Sequence, residues 1–327
     1  MKPSIFVTRK LPDPAMAKLA KVFDVRVNPH DRVLTKSEII QGVKTADALL
    51  CLLTDRIDGE IMDANPKLRV ISNYAVGINN IDLDAATQRK IPVCYTPGVL
   101  TETTADLVFA LILSVARRIV PAEVYTRAGL FDGWAPELFL GSDVHGKTLG
   151  IVGMGRIGLA TARRAVGFGM KVLYTKRGAP EPIYDKLGLI RADLDTLLEE
   201  SDFVSLHVPL TPESRHLIGD RELDKMKSSA YIINTARGPI IDEKALVRAL
   251  QAGSIAGAGL DVFEEEPKIQ PQLLEMENVV LLPHIGSATW ETRTKMGVLA
   301  AENAIAITSG TEPHAIANPD VLSALTQ

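Results

Sequence analysis

The stretch "TLGIVGMGRIG", Thr148–Gly158, decides the fold. An apolar run ends there in Gly153, Gly155 and Gly158 at G-x-G-x-x-G spacing, and a helical pattern, "LATARRAVG", follows directly. A bare match of this kind also describes an ordinary tight turn, but strand before and helix after set it in a dinucleotide-binding unit. The first glycine permits the turn, the second lets backbone approach a pyrophosphate, and the third lets helix pack on strand. The helix then faces the phosphates with free N–H groups.

Downstream, "SDFVSLHVP", "SAYIINTA", "DEKALVRALQAG", "IAGAGLDVF" and "NVVLLPHIG" continue the alternation of strand and helix patterns. Upstream, "SIFVT", "PAMAKLAKVF", "DVRV", "KSEIIQGVK", "ADALLCLL", "RVISNYAV", "LDAATQRK" and "PVCYT" form a separate alternation that ends near residue 100. Such spacing implies parallel sheets with helices on both faces. The expected fold is α/β, with two doubly wound parallel-sheet domains and a cleft between them. The segment "TETTADLVFALILSVARRI", residues 101–119, reads as one long bridging helix, with Thr103 and Asp106 at capping-box spacing and Arg117 and Arg118 suiting its C-terminus. The segment after about residue 289 is helical in pattern and is expected to return onto the first unit. The expected domains are therefore residues 1–100 plus 285–327, which bind substrate, and residues 101–284, which bind cofactor.

Composition excludes several functions. In 327 residues, 36 basic and 40 acidic side chains are interspersed, so no footprint for nucleic acid or an anionic membrane is expected. Cys51 and Cys94 lie in apolar runs and read as buried, inert thiols rather than disulfide partners or metal ligands; no metal site is expected. The start "MKPSIFVTRK" lacks the apolar core of a signal peptide, and "LVFALILSVA", residues 107–116, is about half a membrane span. A cytoplasmic protein acting on small molecules is the expectation.

The segment "LYTKRGAP", Leu173–Pro180, sits where the second strand of a dinucleotide fold meets the adenosine ribose. A carboxylate there would accept from a 2'-hydroxyl. Thr175, Lys176 and Arg177 offer a hydroxyl and two cations instead, which suits a 2'-phosphate. The expected cofactor is NADP(H), with NAD(H) second. A solvated turn is the alternative reading.

Three further stretches end predicted strands, where open α/β sheets place ligands: "INTARGPIID", "GLDVFEEEP" and "LLPHIGSAT". They supply Arg237, Glu266 and His284. Reduction of a 2-keto acid needs a cation for the carboxylate, a hydride donor, and an acid for the emerging alkoxide. Arg237 suits the first through its bidentate fork, and His284 suits the acid role. Glu266 would orient the imidazole and keep it protonated. Glu264 and Glu265 read as a solvated acidic turn. His207 ends a strand, either lining the cofactor cleft or simply packed, while His30, His145, His216 and His314 read as surface residues.

Together "GIVGMGRIG", "INTARGPIIDEKAL", "AGAGLDVFEEEP" and "LLPHIGSAT" resemble the D-isomer-specific 2-hydroxyacid dehydrogenases in order and spacing, over essentially the whole chain. Within that family "SNYAVGINNID", "TPGVLTETTADLVFALIL" and "GWAPELFLG" are most similar to glyoxylate/hydroxypyruvate reductases. The resemblance implies a flavodoxin-like substrate domain, a Rossmann cofactor domain, and Arg237, Glu266 and His284 as the catalytic trio. It implies that Gly155, Arg156 and Ile157 meet the pyrophosphate, beside Gly153, Met154 and Gly158. Thr235 and Ala236 would approach the nicotinamide ribose and Asp261 the nicotinamide amide, with His207, Val208, Pro209 and Gly286 completing the cofactor contacts. The amides of Val76 and Gly77 would hold the substrate carboxylate beside Arg237. It further implies a homodimer joined through the cofactor domain, with Trp134 reaching the partner's active site. Phosphite dehydrogenases resemble the chain but carry a lysine where it has Val76, and a bulkier 2-keto acid is the other enzymatic alternative. Corepressors of the same fold, which keep the trio, are the alternative of another class.

Overall fold

The computed structural model describes residues 2–325, with side chains of residues 2–322. The chain divides into two compact units, Met1–Leu100 with Ser287–Gln327, and Thr101–Gly286.

The first unit holds β1 (Ser4–Val7), β2 (Asp24–Val27), β3 (Ala48–Leu52), β4 (Val70–Tyr74) and β5 (Val93–Cys94), ordered β2-β1-β3-β4-β5 and paired in parallel. Every residue of "VISNY" in β4 is buried, as a strand covered on both faces requires. One cover is the helix Trp290–Thr308, the returning segment. Ser72 donates to the Ala300 carbonyl at 2.8 Å and Tyr74 to that of Arg293 at 2.7 Å.

The second unit holds β6 (Thr148–Val152), β7 (Lys171–Thr175), β8 (Ile190–Arg191), β9 (Phe203–Leu206), β10 (Tyr231–Asn234), β11 (Gly257–Leu260) and β12 (Val279–Leu281). Their order is β12-β11-β10-β9-β6-β7-β8, again in parallel. Alternate residues feed different cores: Leu149, Ile151, Phe203 and Ile233 one face, Val152, Val204, Leu206 and Ile232 the other. The strand order reverses between β6 and β9, and ligands of open α/β sheets bind beyond the carboxyl ends at such a point.

The helix expected over residues 101–119 is two helices, Thr101–Ala116 and Ile119–Arg127. Arg118 breaks them, in the left-handed region at φ 53°. The expected capping box does not form, because the helix starts at Thr101 and places Thr103 and Asp106 inside it. Asp106 accepts from Arg164 of the helix Arg156–Gly167 instead, at 2.8 Å. The first of these helices packs on β11 within the second unit, where a Cβ on Gly257 would meet Val115, and one on Gly259 would meet Leu111. Among the described residues no helix is long and apolar enough to cross a membrane.

Candidate active site

At the strand-order reversal the three glycines differ in what surrounds them. Gly153 has φ 101°, and a Cβ there would lie 2.8 Å from the backbone of His207, which follows β9. A Cβ on Gly158 would lie 2.4 Å from the Gly153 carbonyl oxygen, but one on Gly155 would meet nothing within 4 Å. The turn and the helix contact are therefore closed to side chains, while the middle glycine faces open space. Gly155 is also the N-cap of the helix Arg156–Gly167 and offers no side chain to its amides. This cradle fits a pyrophosphate, held by backbone N–H groups at the positive end of the helix dipole. Met154 is buried, Arg156 is exposed, and Ile157, Val208 and Thr175 are half-buried around the turn.

Beyond β7, Arg177 is exposed, but Lys176 is engaged. Its Nζ lies 2.7 Å from Glu181 Oε1 and 2.9 Å from the Tyr184 hydroxyl. That hydroxyl also lies 3.2 Å from the Met154 carbonyl, and Tyr184 is 1% exposed. Sequence reading placed no carboxylate here; Glu181 is one.

Arg237, Glu266 and His284 follow β10, β11 and β12. Asn234 shapes the first loop, donating to the Arg237 carbonyl and accepting from the Ala236 amide, each at 3.0 Å. Arg237 donates to the Ala236 carbonyl at 2.6 Å, and burial lowers its pKa despite the charge of Glu266. Within the same loop the Thr235 hydroxyl is buried and has no hydrogen-bond partner, which fits a polar ligand group beside it. Glu266 accepts from the Phe263 amide at 3.1 Å and lies 2.9 Å from His284 Nδ1. Burial pushes its carboxyl up, but His284, the amide and Arg237 together hold it below the usual carboxylate range.

His284 itself takes φ 57°, a conformation costly for a residue with a side chain. Asp261 holds that loop in place. Its two carboxylate oxygens each accept a backbone N–H at 2.7 Å, one from Ile285 and one from Gly286. Burial pushes the Asp261 carboxyl up against those hydrogen bonds. His207 lies 2.9 Å from the Ser205 hydroxyl through Nε2, and burial lowers its imidazole to about 4, so it is neutral near pH 7.

Sequence reading missed two supporting networks. His216 is exposed, as expected, but it pairs with Glu264, which is not a solvated turn. The Glu264 carboxylate lies 2.6 Å from His216 Nε2 and accepts from the Glu243 amide at 3.3 Å, while its own amide donates to buried Glu243 at 2.5 Å. In the first unit, Val76 and Gly77 lie on the loop after β4, which buried Asn73 clasps by donating to the Gly77 carbonyl at 2.9 Å and to Asn80 at 3.1 Å. Asn80 in turn donates to the carbonyls of Leu52 and Asp55. Trp134 is 84% exposed.

Residues 109–286 match the family described as D-isomer specific 2-hydroxyacid dehydrogenase, NAD binding domain. The chain is 49% identical to a glyoxylate reductase of Thermococcus litoralis, covering 99% of each chain. It is 52% identical to a glyoxylate reductase of Korarchaeum cryptofilum, covering 98% of each. Among solved structures, an NADPH-dependent glyoxylate/hydroxypyruvate reductase from Sinorhizobium meliloti in complex with NADP and malonate superposes with a TM-score of 0.85 at 34% identity, over 97% of each chain. The chain therefore belongs to the D-isomer-specific 2-hydroxyacid dehydrogenases. It is an enzyme of the glyoxylate reductase-like kind, built on a nicotinamide-dinucleotide domain.

Proposed function

We propose that this enzyme reduces small 2-keto acids, glyoxylate and hydroxypyruvate, to D-2-hydroxy acids with a preference for NADPH. The observation that carries the reading is the 2.9 Å contact of His284 Nδ1 with Glu266, in one unit with Arg237 and the glycine cradle. Relatives named glyoxylate reductase at about half identity support the substrate class, and the NADP-bound Sinorhizobium enzyme supports the cofactor.

A bound nicotinamide dinucleotide supplies the hydride that reaches C2. Gly153–Gly158 hold its pyrophosphate, Lys176 and Arg177 its adenosine end, and Thr235, Ala236 and Asp261 its nicotinamide end. Arg237 binds the substrate carboxylate through its fork. Glu266 accepts from Nδ1–H and so orients the protonated ring, whose Nε2–H delivers its proton to the carbonyl oxygen and leaves the neutral Nδ1–H tautomer. Hydride to carbon and proton to oxygen together make the hydroxy acid.

A homodimer joined through the second unit is part of the reading. Ile119, Val120, Val124, Leu130, Phe131 and Trp134 are all exposed along one segment of that unit, and exposed apolar residues grouped in this way suit an interaction surface. Sedimentation of the full chain tests it, with a single monomer boundary as the opposing result.

The deciding experiment is the initial rate on glyoxylate and on hydroxypyruvate, each with NADPH and NADH. Higher kcat/KM with NADPH is expected. Turnover with neither acid would reject the substrate assignment, and preference for NADH the cofactor assignment.

A further inference from the structure

Lys176 and Arg177 are adjacent but not equivalent. Lys176 is only partly exposed and is held by Glu181 at 2.7 Å, by the Tyr184 hydroxyl at 2.9 Å, and over the Tyr184 ring at 5.1 Å from its centroid. Tyr184 is buried, its hydroxyl contacts Glu181 at 2.8 Å, and it reaches the Met154 carbonyl between the first two glycines. The ion pair is therefore moored to the cofactor turn. Arg177, in contrast, stands exposed at the mouth of the same strand, with Glu213 acting on it only through a weak electrostatic interaction.

We infer that Glu181 is a specificity-determining residue that weakens discrimination between NADPH and NADH. Its carboxylate neutralises Lys176 where that cation would otherwise serve a 2'-phosphate, and leaves Arg177 as the working cation. This rests on the proposal that the adenosine end of the cofactor lies at Lys176 and Arg177. A phosphate drawn to Lys176 meets a like charge one ion-pair distance away, which raises the cost of binding it. A bare ribose meets no such penalty, and the same carboxylate is an acceptor of the kind a 2'-hydroxyl uses. Glu181 stays ionised for this purpose, because Lys176 and Tyr184 hold its pKa below the usual range.

The test measures dissociation constants of NADPH and NADH directly, by quenching of protein fluorescence or calorimetry, on the full chain and on Glu181→Gln, Lys176→Ala, their combination and Arg177→Ala. Glu181→Gln is expected to tighten NADPH about threefold to fivefold, the range a partly exposed ion pair supports, and not to tighten NADH. Lys176→Ala is expected to cost about twofold or less when Glu181 is present, but about threefold or more when it is added to Glu181→Gln. Unchanged or weaker NADPH binding in Glu181→Gln, equal tightening of both cofactors, or the same Lys176→Ala cost in both backgrounds would overturn the inference. Arg177→Ala and the ratio of the two cofactors on the unaltered chain test the underlying cofactor reading separately. If NADH binds as tightly as NADPH and Arg177→Ala changes neither, that reading fails whatever Glu181→Gln shows.

Discussion

Gly238 and Phe263 touch backbone to backbone: a Cβ on Gly238 would lie 1.9 Å from the carbonyl carbon of Phe263. One residue precedes the pair on the loop of Arg237, and three follow it on the loop of Glu266. Only glycine lets the two loops approach this closely. Gly238→Ala is expected to force them apart, costing about 2 kcal/mol or more as overpacking. Thermal denaturation should then fall by roughly 5 °C, with kcat/KM lost even below the transition. A variant with wild-type melting and turnover would show that the loops can separate freely.

His284→Ala removes the proposed acid. Turnover of the 2-keto acid is expected to fall about 10² to 10⁴-fold, while the dissociation constant of the dinucleotide stays within about twofold. A turnover close to wild type would remove His284 from the mechanism.

Glu266 carries a pH signature in stability. Its folded pKa is depressed, so its ionised form stabilises the fold above the ordinary carboxylate range, and that contribution is lost as pH falls through the folded pKa. The melting advantage of wild type over Glu266→Gln should be present near about pH 7 and shrink as pH falls below the ordinary carboxylate range. A gap independent of pH would contradict the depressed pKa.

His207 works in the same direction by a different route. Its folded value of about 4 lies below that of a free imidazole, so the unfolded chain binds the extra proton first and acid destabilises the fold. Replacing it with Gln should flatten the loss of stability between about pH 6.5 and about pH 4. Urea unfolding at several pH values checks this, and identical slopes in both proteins would refute it.

Asn73 joins two loops of the first unit through a buried amide, and Asn73→Ala leaves the Gly77 carbonyl without that donor. The expected cost is about 1 to 3 kcal/mol in urea unfolding. Because the loop carries the Val76 and Gly77 amides, which the family resemblance implies as donors to the substrate carboxylate, KM for the 2-keto acid is expected to rise while NADPH binding does not change. A variant that loses stability with no change in KM would separate the clasp from substrate binding.

What the sequence revealed follows the reach of each interaction. Gly153, Gly155 and Gly158 announce their turn locally, and the apolar runs around them announce a parallel sheet. Glu266 and His284 were readable as strand-end residues, and they lie within hydrogen-bond distance. Arg118 gave no warning, since left-handed backbone is usually signalled by glycine or asparagine. The Thr8 hydroxyl bonded to Asp55, and the Glu243 and Glu264 pair, join residues far apart in the chain, and only the folded topology brings them together. Glu181 is five residues from Lys176, but the irregular loop between them has no period that would point one toward the other.

The second unit is one uninterrupted stretch, Thr101–Gly286, inserted into the first. During synthesis the ribosome therefore releases all of the second unit before the first has its full set of parts. β5 waits longest: the Ala317 amide donates to the Val93 carbonyl at 2.7 Å, and the Val93 amide to the Asn318 side chain at 2.9 Å. The helix that covers β4 is likewise made after the insert. Since domains fold as units when their chain has emerged, the part begun first is the part finished last: one face of β4 and the outer edge of β5 lack their cover on the nascent chain while the rest is translated.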